Sequence, residues 1–147
     1  MSAILSAAEM TPVPMTVDDR AQIAPPSALQ RGDRERLPRR RRHYTTEVEV
    51  GPCAVKIGVG FAADGRVLEV WIDVHKEGAT YRAAMNDLAR SMSLALQLGG
   101  DPAKVASLYR HTKADPSGVV TGHEAIKSAS SLADLVAQVL LHEAGAR

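Results

Sequence analysis

The chain has 147 residues, enough for one domain or one domain with a tail, and its 45% hydrophobic and 24% charged residues are ordinary for a globular protein. The formal net charge of +1 excludes a global bias toward nucleic acid or membrane, and Cys53, the single cysteine, excludes an internal disulfide framework or a Cys-rich zinc site. Aromatic residues amount to only 3%, so the core has to be built from Val, Leu, Ile, Ala and Met.

Residues 1–30 contain Pro12, Pro14, Pro25 and Pro26 without a sustained period, and read as a mobile arm with one short helical turn around Val17–Ala24. The N-terminus lacks the basic stretch of a signal peptide, and no run approaches the roughly 18 apolar residues that span a bilayer. The expected location is the cytoplasm, with no membrane partner. Arginine then dominates residues 31–43, at Arg31, Arg34, Arg36 and the run Arg39, Arg40, Arg41, Arg42. Like charges at that density repel and Pro38 interrupts any helix, so this stretch reads as a solvated, extended lead-in. The expected organisation is an arm over residues 1–43 and a folded domain over 44–145.

From Tyr44 the pattern alternates. Tyr44, Thr46, Val48 and Val50 share one side, Gly51-Pro52 breaks the run, and Val55, Ile57, Val59 and Phe61 alternate with Lys56, Gly58 and Gly60. Asp64-Gly65 signals a hairpin, after which Leu68, Val70, Ile72 and Val74 alternate with Val67, Glu69, Trp71 and Asp73. Three helices are predicted next. In the first, from Thr80 to Leu98, residues Tyr81, Ala84, Met85, Leu88, Met92, Ala95 and Leu96 recur at spacings of three and four, and Gly99-Gly100 ends it. Asp101-Pro102 caps and starts the second, which runs to about Arg110 with Val105, Leu108 and Tyr109 on its apolar side. Residues 111–123 read as a loop, and the third helix as Glu124–His142, striped by Leu132, Leu135, Val136, Val139 and Leu140. The fold class is therefore two-layer α+β, a three-stranded antiparallel meander covered by about three helices. Its open sheet edges would suit pairing with another chain.

Several residues are candidates for function. Lys76, Glu77, Gly78 and Thr80 lie between a strand and a long helix, where free N–H groups and a lysine suit a phosphate; the plainer reading is a tight connection with Thr80 as the cap. Ser117 and Gly118 belong to Asp115-Pro116-Ser117-Gly118, either a ligand-shaping loop or a structural turn. Trp71, the one tryptophan, is an interface candidate. Arg39, Arg40, Arg41 and Arg42 suit phosphates or an acidic partner, though no aromatics are interleaved with them for stacking on single strands. His43, His75, His111, His123 and His142 lack the spacing of a metal site, Cys53 reads as a small buried hydrophobe, and a serine-hydrolase Gly-x-Ser-x-Gly is missing.

From Arg34 to about Leu141 the chain resembles the TSCPD domain found in the C-terminal region of adenosylcobalamin-dependent (class II) ribonucleotide reductases. The resemblance rests on RERLPRRRRHYT, VWIDVHKEGATYRAAMNDLA, SLALQLGGDPAKV and DPSGVVTGHEAIKSASSLAD, with IDVHKEGA (residues 72–79) and DPSG (residues 115–118) the most specific. It implies an accessory role in deoxyribonucleotide synthesis for DNA replication, bound to a reductase chain or to itself, with a nucleotide as a candidate ligand. The activity it points to, ribonucleoside-diphosphate reduction, belongs to such a complex. No catalytic residue and no metal ligand transfer to this chain, because thiyl chemistry needs a radical-forming cysteine and a dithiol pair, and only Cys53 is present. No cofactor is expected on this chain alone, and adenosylcobalamin would sit on a separate reductase chain. The competing readings are a nucleic-acid-binding protein using the arginine strip and a purely structural dimerisation domain.

Overall fold

A computed structural model of the chain describes residues 32–75 and 78–145. The expectations for residues 1–31, including the turn around Val17–Ala24, and for Lys76 and Glu77 fall outside the described residues. The elements in chain order are β1 (His43–Val50), β2 (Cys53–Phe61), β3 (Val67–Val74), α1 (Ala79–Gln97), α2 (Pro102–Ser107), β4 (Gly118–Thr121), β5 (Ser128–Ala129) and α3 (Leu132–Gly145).

The alternating segments form the antiparallel meander expected of them. Gly51, at φ 56°, makes the two-residue β1–β2 turn, so Val50 faces Cys53 and Thr46 faces Ile57. The register shifts between Gly60 and Phe61, a bulge that sets Phe61 opposite Val67. Strict alternation placed Val67 on the outward face with Glu69, Trp71 and Asp73; the bulge rotates it inward, and it is buried.

The sheet has five strands, not three, in the order β3-β2-β1-β4-β5, with all neighbours antiparallel. The two extra strands come from residues assigned by sequence to a loop and to the start of the last helix. β4 pairs with the end of β1 through Glu49 and Val50, and β5 folds back on β4. The segment between them is not helical because the imidazole of buried His123 holds it in a turn, its Nδ1 accepting the N–H groups of Ala125 and Ile126. The last helix starts at Leu132, where its apolar stripe begins and eight residues after the expected start at Glu124. Ser131 Oγ accepts the N–H of Asp134, as an N-cap does, and the Asp134 carboxylate accepts the N–H of Ser130.

Helix α1 packs on β3 and ends in a Schellman motif. The Gly100 N–H donates to Ala95 O, the Gly99 N–H donates to Leu96 O, and Gly99 takes φ 92°. Its start differs from expectation: Gly78 occupies the cap position without a side-chain bond, and Thr80 lies inside the first turn. Its buried face is also rotated from the predicted stripe, with Ser93 and Gln97 buried and Ala84 exposed. Asp101 caps α2 by accepting from Ala103 N–H, but this helix stops at Ser107, and Leu108 is 76% exposed instead of lining the core. Helix α3 is buried on nearly every side from Leu132 to Leu140, apart from Gln138, and packs against β2, β3, β5, α1 and α2. Ile57, Phe61, Met92, Leu96, Leu135 and Leu140 lie within the resulting single core, where burying each such side chain contributes about 1.5–3 kcal/mol.

Candidate functional site

The sequence candidates are distributed over two ends of the sheet. At the β1–β2 turn end, Gly78 and Thr80 open α1 beyond β3, while Ser117 precedes β4 and Gly118 begins it. The turn Gly51 N–H donates to Val119 O, and Ser117 Oγ donates to the Asp115 carboxylate. All four candidate residues are exposed, and among the described residues no hydrogen bond joins the two groups. A shallow depression beside Ser117 is lined by Lys113, Asp115, Gly118 and Ser130.

The opposite end holds the arginine lead-in, which is docked along part of its length. The Glu35 N–H donates to Gln97 O, and Arg34 Nε donates to the Gln97 side chain at 2.6 Å. Glu35 accepts both terminal nitrogens of Arg66 at 2.9 and 2.8 Å, and Arg41 grips Glu69 through two bonds of 2.7 and 2.8 Å. Arg42 lies over the Phe61 ring, 4.8 Å from its centroid. Leu37 is half-buried against the core, whereas Arg36, Arg39 and Arg40 are exposed. The four successive arginines therefore divide: Arg41 and Arg42 hold the fold, and Arg39 and Arg40 face solvent.

Trp71 lies on the outer face of the sheet, opposite Gly58 in register. Its indole N–H donates to His43 Nε2, and the two rings are parallel within 5°. Gly58 makes this arrangement sterically feasible, because a Cβ there would fall 2.1 Å from the indole nitrogen and 2.6 Å from the imidazole. Gly60 does the same for the Arg41–Glu69 pair, since a Cβ there would meet a Glu69 carboxylate oxygen at 2.5 Å. Sequence reasoning named Trp71 but missed His43 as its partner. The readable signal was the pair of glycines two apart within a strand, which marks close approach on one face.

The remaining histidines do not assemble a metal site. His43 pairs with Gly60 at one end of the sheet and Cys53 with Val50 at the other, so His43 and Cys53 do not converge. Cys53 is buried, with its thiol near His75 O. His123 and His142 make an edge-to-face pair with centroids 4.9 Å apart, and His142 lies 3.5 Å from Glu124. Burial, then the neighbouring His142, hold His123 below the ordinary imidazole value. Among the described residues no three His, Cys, Asp or Glu side chains gather as a metal site would need, and no helix is long and apolar enough to cross a membrane.

A second buried polar cluster is centred on Asp134. Its carboxylate accepts from Arg110, from the backbone N–H of His111 and Ser130, and from Gln138. Burial pushes this acid up, but those donors together outweigh it and hold Asp134 below the ordinary carboxylate value. It ties the turn after α2, where His111 takes φ 65°, to the start of α3. This cluster is structural: its donors saturate the carboxylate and leave it no free valence for substrate.

These features describe a small α+β domain with a helix-covered core, an open outer sheet face and a docked basic lead-in. The chain belongs to the TSCPD domain family, whose model matches residues 28–144. It is 44% identical over 104 residues to a vitamin B12-dependent ribonucleotide reductase of Agrobacterium fabrum, and 39% identical over 104 residues to that of Bradyrhizobium diazoefficiens. Each match covers 71% of this chain but only 8% of the relative. The reductase of Rhodopirellula baltica is 32% identical over 107 residues, 73% of this chain and 10% of its own length. The chain thus spans about a tenth or less of these relatives. No solved structure matches it.

Proposed function

We propose that this chain is a non-catalytic accessory module of a ribonucleotide-reductase system, acting in deoxyribonucleotide synthesis by docking on a reductase chain. The observation that carries this reading is the 44% identity with a segment of a B12-dependent reductase, coupled with a coverage of only 8% of that protein. Docking on the rest of a reductase is the role this reading gives to a domain that matches so small a part of one. Radical reduction needs a thiyl-forming cysteine and a dithiol pair, and this chain carries only Cys53, which is buried. Adenosylcobalamin and the substrate nucleotide then belong to the reductase chain. A regulatory nucleotide at the exposed Gly78/Thr80 and Ser117/Gly118 end is the ligand this reading allows.

The test is affinity purification of the tagged chain from its host, with an assay of the isolated chain for ribonucleotide reduction supplied with adenosylcobalamin, thiol and all four nucleotides. A B12-dependent reductase chain is expected to co-purify, and the isolated chain is expected to give no turnover. Turnover above a boiled control overturns the non-catalytic reading, and failure to recover a reductase chain overturns the docking.

A further inference from the structure

The outer sheet face carries a flat two-ring surface made by Trp71 and His43. The Trp71 and His43 rings are parallel within 5°, with centroids 5.6 Å apart and a direct Nε1–H to Nε2 hydrogen bond. That contact is shorter than the thickness of a π layer, so the rings lie side by side, not one above the other. Both rest on the β2 backbone at Gly58, where a Cβ would overlap indole and imidazole alike. One π face of each ring therefore lies on the sheet and the other faces away from it. His43 is exposed and Trp71 half-buried.

Charge changes sign along the chain and the strand rows that flank this slab, while Arg90 and Asp87 in the depression beside Trp71 offset each other. The lead-in runs directly into His43, and its Arg36, Arg39 and Arg40 are exposed and without an ion pair among the described residues. Glu69 beside the slab is neutralised by Arg41. On the far side, the next cross-strand row is Glu47, Lys56 and Asp73, followed by Glu49, a net negative group. Anionic groups are thus drawn toward the arginines and kept off the far side, while a flat uncharged group suits the rings. A planar heterocycle attached to several phosphates has that distribution. The surface is open and does not enclose a ligand, so one isolated nucleotide would gain little from it, whereas a strand crossing it would engage base and phosphates together.

We propose that the His43–Trp71 slab, with Arg36, Arg39 and Arg40, is a binding site for single-stranded nucleic acid, one base stacking on the indole and the flanking phosphates lying on the arginines. Duplex bases are stacked within the helix and cannot reach such a platform. This site is independent of the reductase docking, and either can fail alone.

Trp71 is the chain's only tryptophan, so emission of the full-length protein reports this site directly. A fluorescently labelled pyrimidine DNA strand of about 15 nucleotides, within the range of one to a few binding sites, is titrated while Trp71 emission and strand anisotropy are read. The expected result is quenching of Trp71 on binding. An abasic strand of equal length and charge should bind on the order of tenfold more weakly and leave emission unchanged. Trp71→Ala should abolish the preference for the base-bearing strand, and Trp71→Phe should restore part of it. Substituting Arg39 and Arg40 together by Ala should weaken both strands alike and flatten the salt dependence. The abasic comparison uses the unaltered protein and so stands even if Trp71→Ala unfolds. Equal binding of intact and abasic strands overturns the proposal, as does equal quenching by duplex DNA or by a mononucleotide. A shift of Trp71 emission with protein concentration alone overturns it in favour of a second copy on this face.

Discussion

Asp134 shows how one side chain can hold two elements in place. Its carboxylate joins Arg110, the His111 and Ser130 amides and Gln138, and its side chain is only 3% exposed. Asp134→Ala leaves those donors without an acceptor and should cost about 3 kcal/mol in urea unfolding, with Asp134→Asn milder because one oxygen remains. Since its folded pKa is lowered, the carboxylate's contribution is complete above the ordinary value of 3.8 and disappears as pH falls through the lower folded value. His123 acts in a higher window. Its folded pKa lies below 6.5, so the unfolded chain takes up a proton first, and stability falls as pH drops through 6.5 toward the folded value. The physical reason is local, since a proton on Nδ1 would break the bonds from Ala125 and Ile126. Urea midpoints at pH 7.5 and 5.5 should therefore differ, and His123→Asn, which keeps an acceptor without titrating, should bring them together. An unchanged difference in the variant would assign the effect elsewhere.

At the scale of the element, the outer edge of β3 explains why α1 buries polar groups. Ser93 Oγ lies 2.9 Å from both the N and the O of Val70, Gln97 Nε2 donates to Leu68 O, and Arg82 Nε donates to Val74 O. Side chains of a packed helix thus take up main-chain groups that a neighbouring strand would otherwise find, which blunts the edge against pairing with another chain. The open-edge expectation fails at β3 for that reason. Ser93→Ala should lower stability by about 1–2 kcal/mol and promote self-association through the freed Val70 groups, read by urea melts and sedimentation. A monomeric variant of unchanged stability would show that water replaces the hydroxyl without loss. The turn signals at Asp64-Gly65, Gly99-Gly100 and Asp101-Pro102 were legible because their chemistry is local. The burial of Ser93 and Gln97 was not, because their partners lie 23 and 29 residues away.

For the molecule as a whole, the lead-in is joined to the domain from Arg34 onward by the Gln97, Glu69 and Arg66 contacts and by half-buried Leu37. A chain beginning at Gly32 and one beginning at His43 should therefore differ. Two partly exposed bidentate pairs contribute up to about 1 kcal/mol each and Leu37 about 1 kcal/mol more. The shorter chain should melt on the order of 10 °C lower. Equal melting temperatures would show that these contacts form without stabilising the fold.

The local pattern of residues determined the three-strand meander, the two-residue turn at Gly51-Pro52, the C-terminal end of α1 and the family to which the chain belongs, because hydrophobic period and turn chemistry act between near neighbours. Only the tertiary structure decided the fates of residues 111–131, of Val67 and of the arginines. Gly118–Thr121 became a strand because β1 offered it a free edge at Glu49 and Val50, and His123 and Ser131 then delayed α3 to Leu132. Val67 turned inward through a bulge that alternation does not encode. Arg41 and Arg40 are adjacent and chemically identical, yet one is bound to Glu69 and the other has no ion pair among the described residues, since a charge is paired by what the fold brings beside it.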